Sequence, residues 1–302
     1  MTLFRVEECR GEQPFASHAS SRRPKSLQRQ IAEALRTATQ ASVLFPWKLR
    51  LYSLFQPKIE YFQLLGFHGP ELGELLSKNG ILLGCSLNKT LVPSVKCVRQ
   101  IVNNKKDLIK VLQRYAEWII PRQQRVLDNA AFFKSCGIVG SQLSFLIKKN
   151  ARLFAMRESL VRNYVSRAVN LGFSVNSRML VHGLRTISSM SIVKFNRKLE
   201  IIQSCGFSRD EAMQMFRRTP GLLGRSETRL KFKIEVFLDK IMLPKSLLVN
   251  NPVILMLNME KRVIPRWRVL KLLISKNLLM NNPSFLRVLH MREEKFLEKY
   301  IS

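Results

Sequence analysis

The sequence predicts an all-α superhelical solenoid, of either hand, built from about seven units of roughly 35 residues, each two helices followed by a short 3-10 turn. Three observations predict it. An apolar helix that ends in glycine recurs at one period, a proline-marked apolar turn recurs in the same frame, and no stretch shows the two-residue alternation of a half-buried strand. A single unit of this kind cannot bury its own apolar face, so stacked units share one continuous core.

The first helix of each unit is marked by its end. Leu65-Gly66-Phe67, Cys136-Gly137-Ile138, Leu171-Gly172-Phe173 and Cys205-Gly206-Phe207 each follow an apolar run, and their glycines stand 71, 35 and 34 residues apart. Glycine just past a helix end takes the left-handed conformation that closes the last turn, and the next apolar residue packs back onto the helix. Phases without glycine fall near residues 101, 241 and 277, where the apolar pattern persists. The second helix starts soon after: Ser208 and Glu211 have the spacing of a capping box.

The short turn follows the second helix. It reads Asn79-Gly80-Ile81-Leu82-Leu83, Asn150-Ala151-Arg152-Leu153-Phe154, Thr219-Pro220-Gly221-Leu222-Leu223, Asn251-Pro252-Val253-Ile254-Leu255 and Asn282-Pro283-Ser284-Phe285-Leu286. Proline or a small polar residue ends the helix, and the apolar run tucks into the stack as one tight turn. Pro57, Pro93 and Pro265 then open their units, where a helix's first turn needs no N–H donor. Leu, Ile, Phe and Met at these positions are core, Met256 and Met259 included.

The charge points to a partner. The 302 residues hold 51 Lys and Arg against 21 Asp and Glu, a formal +30. Residues 1–56 carry nine basic and four acidic residues, so +25 belongs to residues 57–302. A folded body this basic repels itself unless a polyanion neutralises it, and a phosphate backbone is the commonest such partner. Residues 1–56 read as a basic leader, largely disordered, of the composition of an organellar transit segment; residues 57–302 are the repeat domain. Glu7, Glu8 and Glu12 are unusual for a targeting sequence. Mitochondrion is the expected address, chloroplast the alternative.

Other classes find little support. Cys9, Cys85, Cys97, Cys136 and Cys205 form no Cys-x-x-Cys pair, and His18, His68, His182 and His290 are scattered, so no zinc site is expected and no cofactor is implied. No apolar run approaches a membrane span. Neither a phosphate loop, a dinucleotide fingerprint, a nucleophile elbow nor a metalloprotease motif occurs, so an enzyme is not expected.

The Asn/Thr-Pro-apolar turns, the helices ending in Gly-Phe-Ser and the run 257–266, with its Glu260-Lys261-Arg262 and Pro265, together resemble the mitochondrial transcription termination factor (mTERF) family, particularly its expanded plant branch. The resemblance covers residues 57 to about 300. It implies a superhelical repeat with a basic groove that binds organellar DNA or RNA in transcription termination, transcription regulation, transcript maturation or splicing, alongside organellar transcription or splicing proteins. A monomer is expected. The residues themselves leave open a protein-interaction scaffold, whose groove would not need such a charge.

Cations also recur in the frame. Arg162, Arg197, Lys231 and Arg266 stand 35, 34 and 35 residues apart, and Lys148 and Lys149 precede Arg217 and Arg218 by two units. One cation per unit on one face would track a phosphate backbone without reading sequence. Among Trp47, Trp118 and Trp267, Trp267 lies between Arg266 and Arg268 and is the candidate for stacking on a base.

Overall fold

The computed structural model describes residues 46–102, 104–279 and 283–301, with side chains from Ser53 onward. The targeting segment expected in the leader, Cys9, His18, Asn282 and the side chain of Trp47 lie outside the described residues. Every regular element among those described is helical.

Unit one comprises α1 (Pro46–Leu65), α2 (Gly69–Lys78) and the single turn α3 (Ile81–Gly84); unit two, α4 (Val92–Arg99), α5 (Lys105–Ile119) and a 3-10 turn at Ile120–Arg122. Unit three is α6 (Gln123–Ser135) with α7 (Gly140–Phe154), and unit four is α8 (Glu158–Asn170) with α9 (Arg178–Ile187). Unit five has α10 (Ile192–Ser204), α11 (Arg209–Arg218) and a 3-10 turn at Pro220–Gly224; unit six, α12 (Glu227–Glu235), α13 (Lys245–Asn250) and a 3-10 turn at Pro252–Met256. The seventh keeps α14 (Ile264–Ser275) and closes with α15 (Phe285–His290) and α16 (Glu293–Tyr300).

The glycine frame works as the sequence predicts. Gly66, Gly137, Gly172 and Gly206 have φ between 76° and 98°, and in two of the phases without glycine Met242 (φ 59°) and Asn277 (φ 54°) adopt the same left-handed conformation. The residue after each glycine packs back: the Phe67 amide donates to the Phe62 carbonyl at 3.0 Å and the Ile138 amide to Phe133 at 2.9 Å. The capping box of Ser208 and Glu211 forms at the start of α11.

The second landmark is a backbone conformation before it is a sequence. Asn79, Asn150, Thr219 and Asn251 all leave the helix at φ between −154° and −126° and ψ between 53° and 75°. That step drives the following apolar pair into the core: Leu82 and Leu83, Leu153 and Phe154, Leu222 and Leu223, Ile254 and Leu255 are all buried. The proline after Thr219 and Asn251 favours it, since the residue before proline is pushed out of the helical region.

The structure corrects three expectations. The closing turn is 3-10 in units two, five and six only; in units one and three it is α-type, and α9 of unit four runs on to Ile187 without one. Pro93 and Pro265 do stand in the first turns of α4 and α14, but a wide turn precedes each: the Leu91 amide bonds the Ser86 carbonyl at 3.0 Å and the Val263 amide bonds Asn258 at 3.1 Å, five residues back. Such a turn accommodates a residue that cannot donate. Pro57 lies inside α1, so the boundary expected at 56/57 falls within a helix.

One polar side chain from the first helix turns inward in most units and satisfies the closing turn, whose last carbonyls have no helical partner. The Lys58 Nζ donates to the Leu83 carbonyl, the Ser94 hydroxyl to Ile120 at 3.1 Å, and the Asn129 amide to Phe154 and Met156 at 2.7 and 2.9 Å. Lys198 Nζ donates to Leu223 at 2.7 Å and to Arg225, and Lys233 Nζ to Leu255 and Leu257 at 2.8 and 2.6 Å. Arg266 reaches Val288 and Met291 at 2.6 and 2.7 Å. Burial pushes the Lys198 and Lys233 ammonium groups below the usual lysine range. Unit four, which has no closing turn, has no such donor among its described contacts.

Candidate nucleic-acid interface

Along the second helices a ladder of hydrogen bonds joins each unit to the next from unit one to unit six. The Asn79 amide donates to the Gln113 carbonyl (3.3 Å), the Tyr115 hydroxyl to Lys149 (3.0 Å), the Asn150 amide to the Ser188 hydroxyl (2.8 Å), the Thr186 hydroxyl to Pro220 (3.1 Å) and the Arg218 guanidinium to Asn250 (3.3 Å). The ladder satisfies backbone groups at helix ends and fixes the spacing of whatever stands beside it.

What stands beside it is a row of cations. Lys78, Arg114, Lys149, Arg185 and Arg218 occupy the same register, 36, 35, 36 and 33 residues apart, and all are exposed. Lys78 pairs with Glu74 on its own helix. Arg114, Lys149 and Arg185 make no ion pair among the described residues, so their charge is available to a ligand.

The middle of the row opens into a cleft of about 540 Å³ between units three and five. Lys149, Arg152, Arg185 and Arg225 line it together with Ser188 and Ser189, and no carboxylate does. The Arg152 guanidinium lies 4.2 Å from the Trp118 ring centroid, with Arg122 at 5.6 Å from the same ring. That tryptophan holds two arginines in place.

The residues expected from the sequence divide among several roles. Lys149 and Arg218 belong to the row. Lys148, beside them in sequence, is 27% exposed and bonds the Asp107 carboxylate at 2.7 Å, tying α7 to α5; this bond holds the Asp107 carboxyl below the usual carboxylate range. Arg162 pairs with Glu158 at 2.6 Å and covers the Phe132 ring, Arg197 pairs with Glu227 at 3.0 Å, and Lys231 lies 3.8 Å from Glu235. Arg217 is half-buried with its side chain against the Gly172 turn. Arg266 is corrected outright: it is 1% exposed, engaged by carbonyls and Glu293, and stacked on Phe296. Trp267 is half-buried with Lys271 over its ring at 5.2 Å.

The structure therefore pairs the exposed Arg162, Arg197 and Lys231 with carboxylates and buries Arg266, the fourth member of the series. Successive helical residues lie about 100° apart around the axis, so a slip of one position changes the face. The row itself had a usable signal, because each of its cations immediately precedes the landmark register position, which ends the second helix at Asn79, Asn150, Thr219 and Asn251 and lies within it at Tyr115 and Thr186. Arg114 and Arg185 carry a weaker mark, because their landmark positions hold Tyr115 and Thr186, which stay helical and are neither Asn nor Thr-Pro.

Among the described residues no helix is long and apolar enough to cross a membrane, and no group of three His, Cys, Asp or Glu side chains could hold a metal ion. Cys85, Cys97, Cys136 and Cys205 are free thiols, and burial pushes Cys97 up to about 11. The family model described as mTERF matches residues 25–204 and 186–297. Comparison with individual curated proteins finds no match.

Proposed function

The chain belongs to the mTERF family, whose members bind nucleic acid and regulate organellar gene expression, and we propose that it is an organellar nucleic-acid-binding factor that acts by occupancy and not by catalysis. The ligand lies along the ends of the second helices, with its phosphates on Arg114, Lys149, Arg185 and Arg218. One observation carries this reading: a row of exposed cations in repeat register, held by inter-unit hydrogen bonds and largely free of carboxylate partners. Such a row positions a backbone without naming a base. Bound there, the protein blocks a polymerase or protects a transcript, as a monomer, in the mitochondrion or alternatively the chloroplast.

The test is the double variant Lys149→Ala/Arg185→Ala against Arg162→Ala/Arg197→Ala, with affinity for duplex DNA and for RNA measured across salt. Loss of two phosphate contacts should weaken binding about tenfold or more and flatten the log–log salt dependence by about 0.9 per contact on a duplex. The second pair should change it far less. Equal effects of the two pairs, or affinity indifferent to salt, would overturn the reading. Capture of a protein partner after nuclease treatment, with no nucleic acid bound, would replace it with a scaffold.

A further inference from the structure

We propose that the cleft at unit four is a binding site for a compact oligophosphate, the chemistry shared by the 5′-triphosphate end of a transcript and a free nucleoside triphosphate. The site goes beyond the backbone-tracking row and does not need that reading to be correct.

The cleft exists because one unit lacks a part. In units one, three, five and six the landmark residue leaves the helix and two apolar residues fill the space beneath. In unit four Thr186 stays within α9, its hydroxyl returning to the His182 carbonyl at 3.1 Å as well as reaching Pro220. At the two corresponding positions, three and four after the landmark, stand the exposed Ser189 and the half-buried Met190, and the chain runs directly to Ser191, whose hydroxyl caps α10 by accepting from the Lys194 amide at 3.2 Å. No closing turn covers the space, and the turns of units three and five become its walls.

What lines the space is selective for charge. The row supplies one cation per unit elsewhere, but here Lys149, Arg152, Arg185 and Arg225 share one cleft without a carboxylate. Four like charges in so small a volume repel one another until an anion enters. A triphosphate brings roughly −4, from a terminal group near −2 and two inner groups of −1 each, whereas a single diester brings −1. Arginine also offers paired donors that suit phosphate oxygens. Gly224 on the lining faces open space, since a side chain added there would meet nothing within 4 Å. The apolar lining consists of Met156 and Met256 with no aromatic ring, so the cleft reads phosphate charge and not a base.

The experiment is calorimetric titration of the full chain with tripolyphosphate and with orthophosphate. Tripolyphosphate should bind one to one and at least tenfold tighter than orthophosphate. Arg185→Gln/Arg225→Gln should lose at least tenfold with its melting temperature unchanged, and Arg162→Gln/Arg197→Gln should lose nothing. Equal weak binding of the two anions, or equal loss in the two variants, would overturn the proposal. Competition by ATP supports it with a free nucleotide as the source; competition by a 5′-triphosphate RNA, and not by its 5′-hydroxyl counterpart or by ATP, supports it with a transcript end. Bound tripolyphosphate that none of these displaces would mark an adventitious polyanion site and overturn it. A chain that binds duplex fully but ignores tripolyphosphate removes only the cleft; one that binds tripolyphosphate but no nucleic acid removes only the row.

Discussion

Along the first helices Lys58, Lys198, Lys233 and Arg266 turn inward onto the carbonyls of the closing turns, while along the ends of the second helices Lys78, Arg114, Lys149, Arg185 and Arg218 face solvent. Both rows keep the repeat period. The inward row satisfies backbone acceptors and is part of the fold; the outward row has, for the most part, nothing in the protein to neutralise it. Period alone thus says which unit a cation serves, and its angle around the helix says what it does. Lys148 and Lys149 show the same division between adjacent residues, one bound to Asp107 and the other open to the cleft.

The most severe way to break this comparison is Arg266→Met. If Arg266 belongs to the fold, the carbonyls of Val288 and Met291 lose their donor, and unfolding in urea should show a loss of about 2–4 kcal/mol. Nucleic-acid affinity of the folded protein should stay the same. Weaker binding at unchanged stability would move Arg266 to the other row.

A smaller effect is expected from Asp107→Asn, which removes the partner of Lys148 at a cost of about 1 kcal/mol. The Lys148 hydrogen bond lowers the folded pKa of Asp107 below its ordinary value of 3.8. Its contribution is therefore complete above that ordinary value and is lost as the pH falls through the lowered one. The stability difference between wild type and variant should be constant near neutrality and vanish in acid. A difference that persisted at the acid end would mean that packing, not the ion pair, joins the two helices.

The mildest test lies in neither row. Met242 holds a left-handed conformation that an L side chain adopts at a cost, and it is 76% exposed, so it has little packing to lose. Met242→Gly should raise stability by about 0.5–1 kcal/mol, the steric relief less the extra chain entropy of glycine. A loss on thermal melting would show that the glycine frame does not extend to unit six in energy as it does in conformation.

Much of the fold was legible because its punctuation is local. Glycine at a left-handed turn, an Asn or Thr before proline, and a serine cap act within a few residues, and the described backbone keeps them at Gly137, Thr219 and Ser208. The truncation of unit four leaves one mark in the sequence, Ser189 at the first place of the apolar pair, but its result was not legible: a missing turn becomes a cleft only when the turns on either side stand as walls. The interface was half legible. Lys149 and Arg218 were found by their spacing, whereas Arg114 and Arg185 precede Tyr115 and Thr186, which lie within their helices and are neither Asn nor Thr-Pro.

By itself the sequence determined the helical class, the period, the positions where each helix ends and the excess of positive charge, since all of these depend on residue type and short-range order. The tertiary structure alone decided which cations are spent on carbonyls, which are paired and which remain free. Burial and pairing depend on groups that the chain brings back from 22 to 41 residues away, as with Arg266 and Val288 or Lys148 and Asp107. A rotation of one residue around a helix, which no count of charges registers, separates a lysine that holds the solenoid together from one that can hold a phosphate.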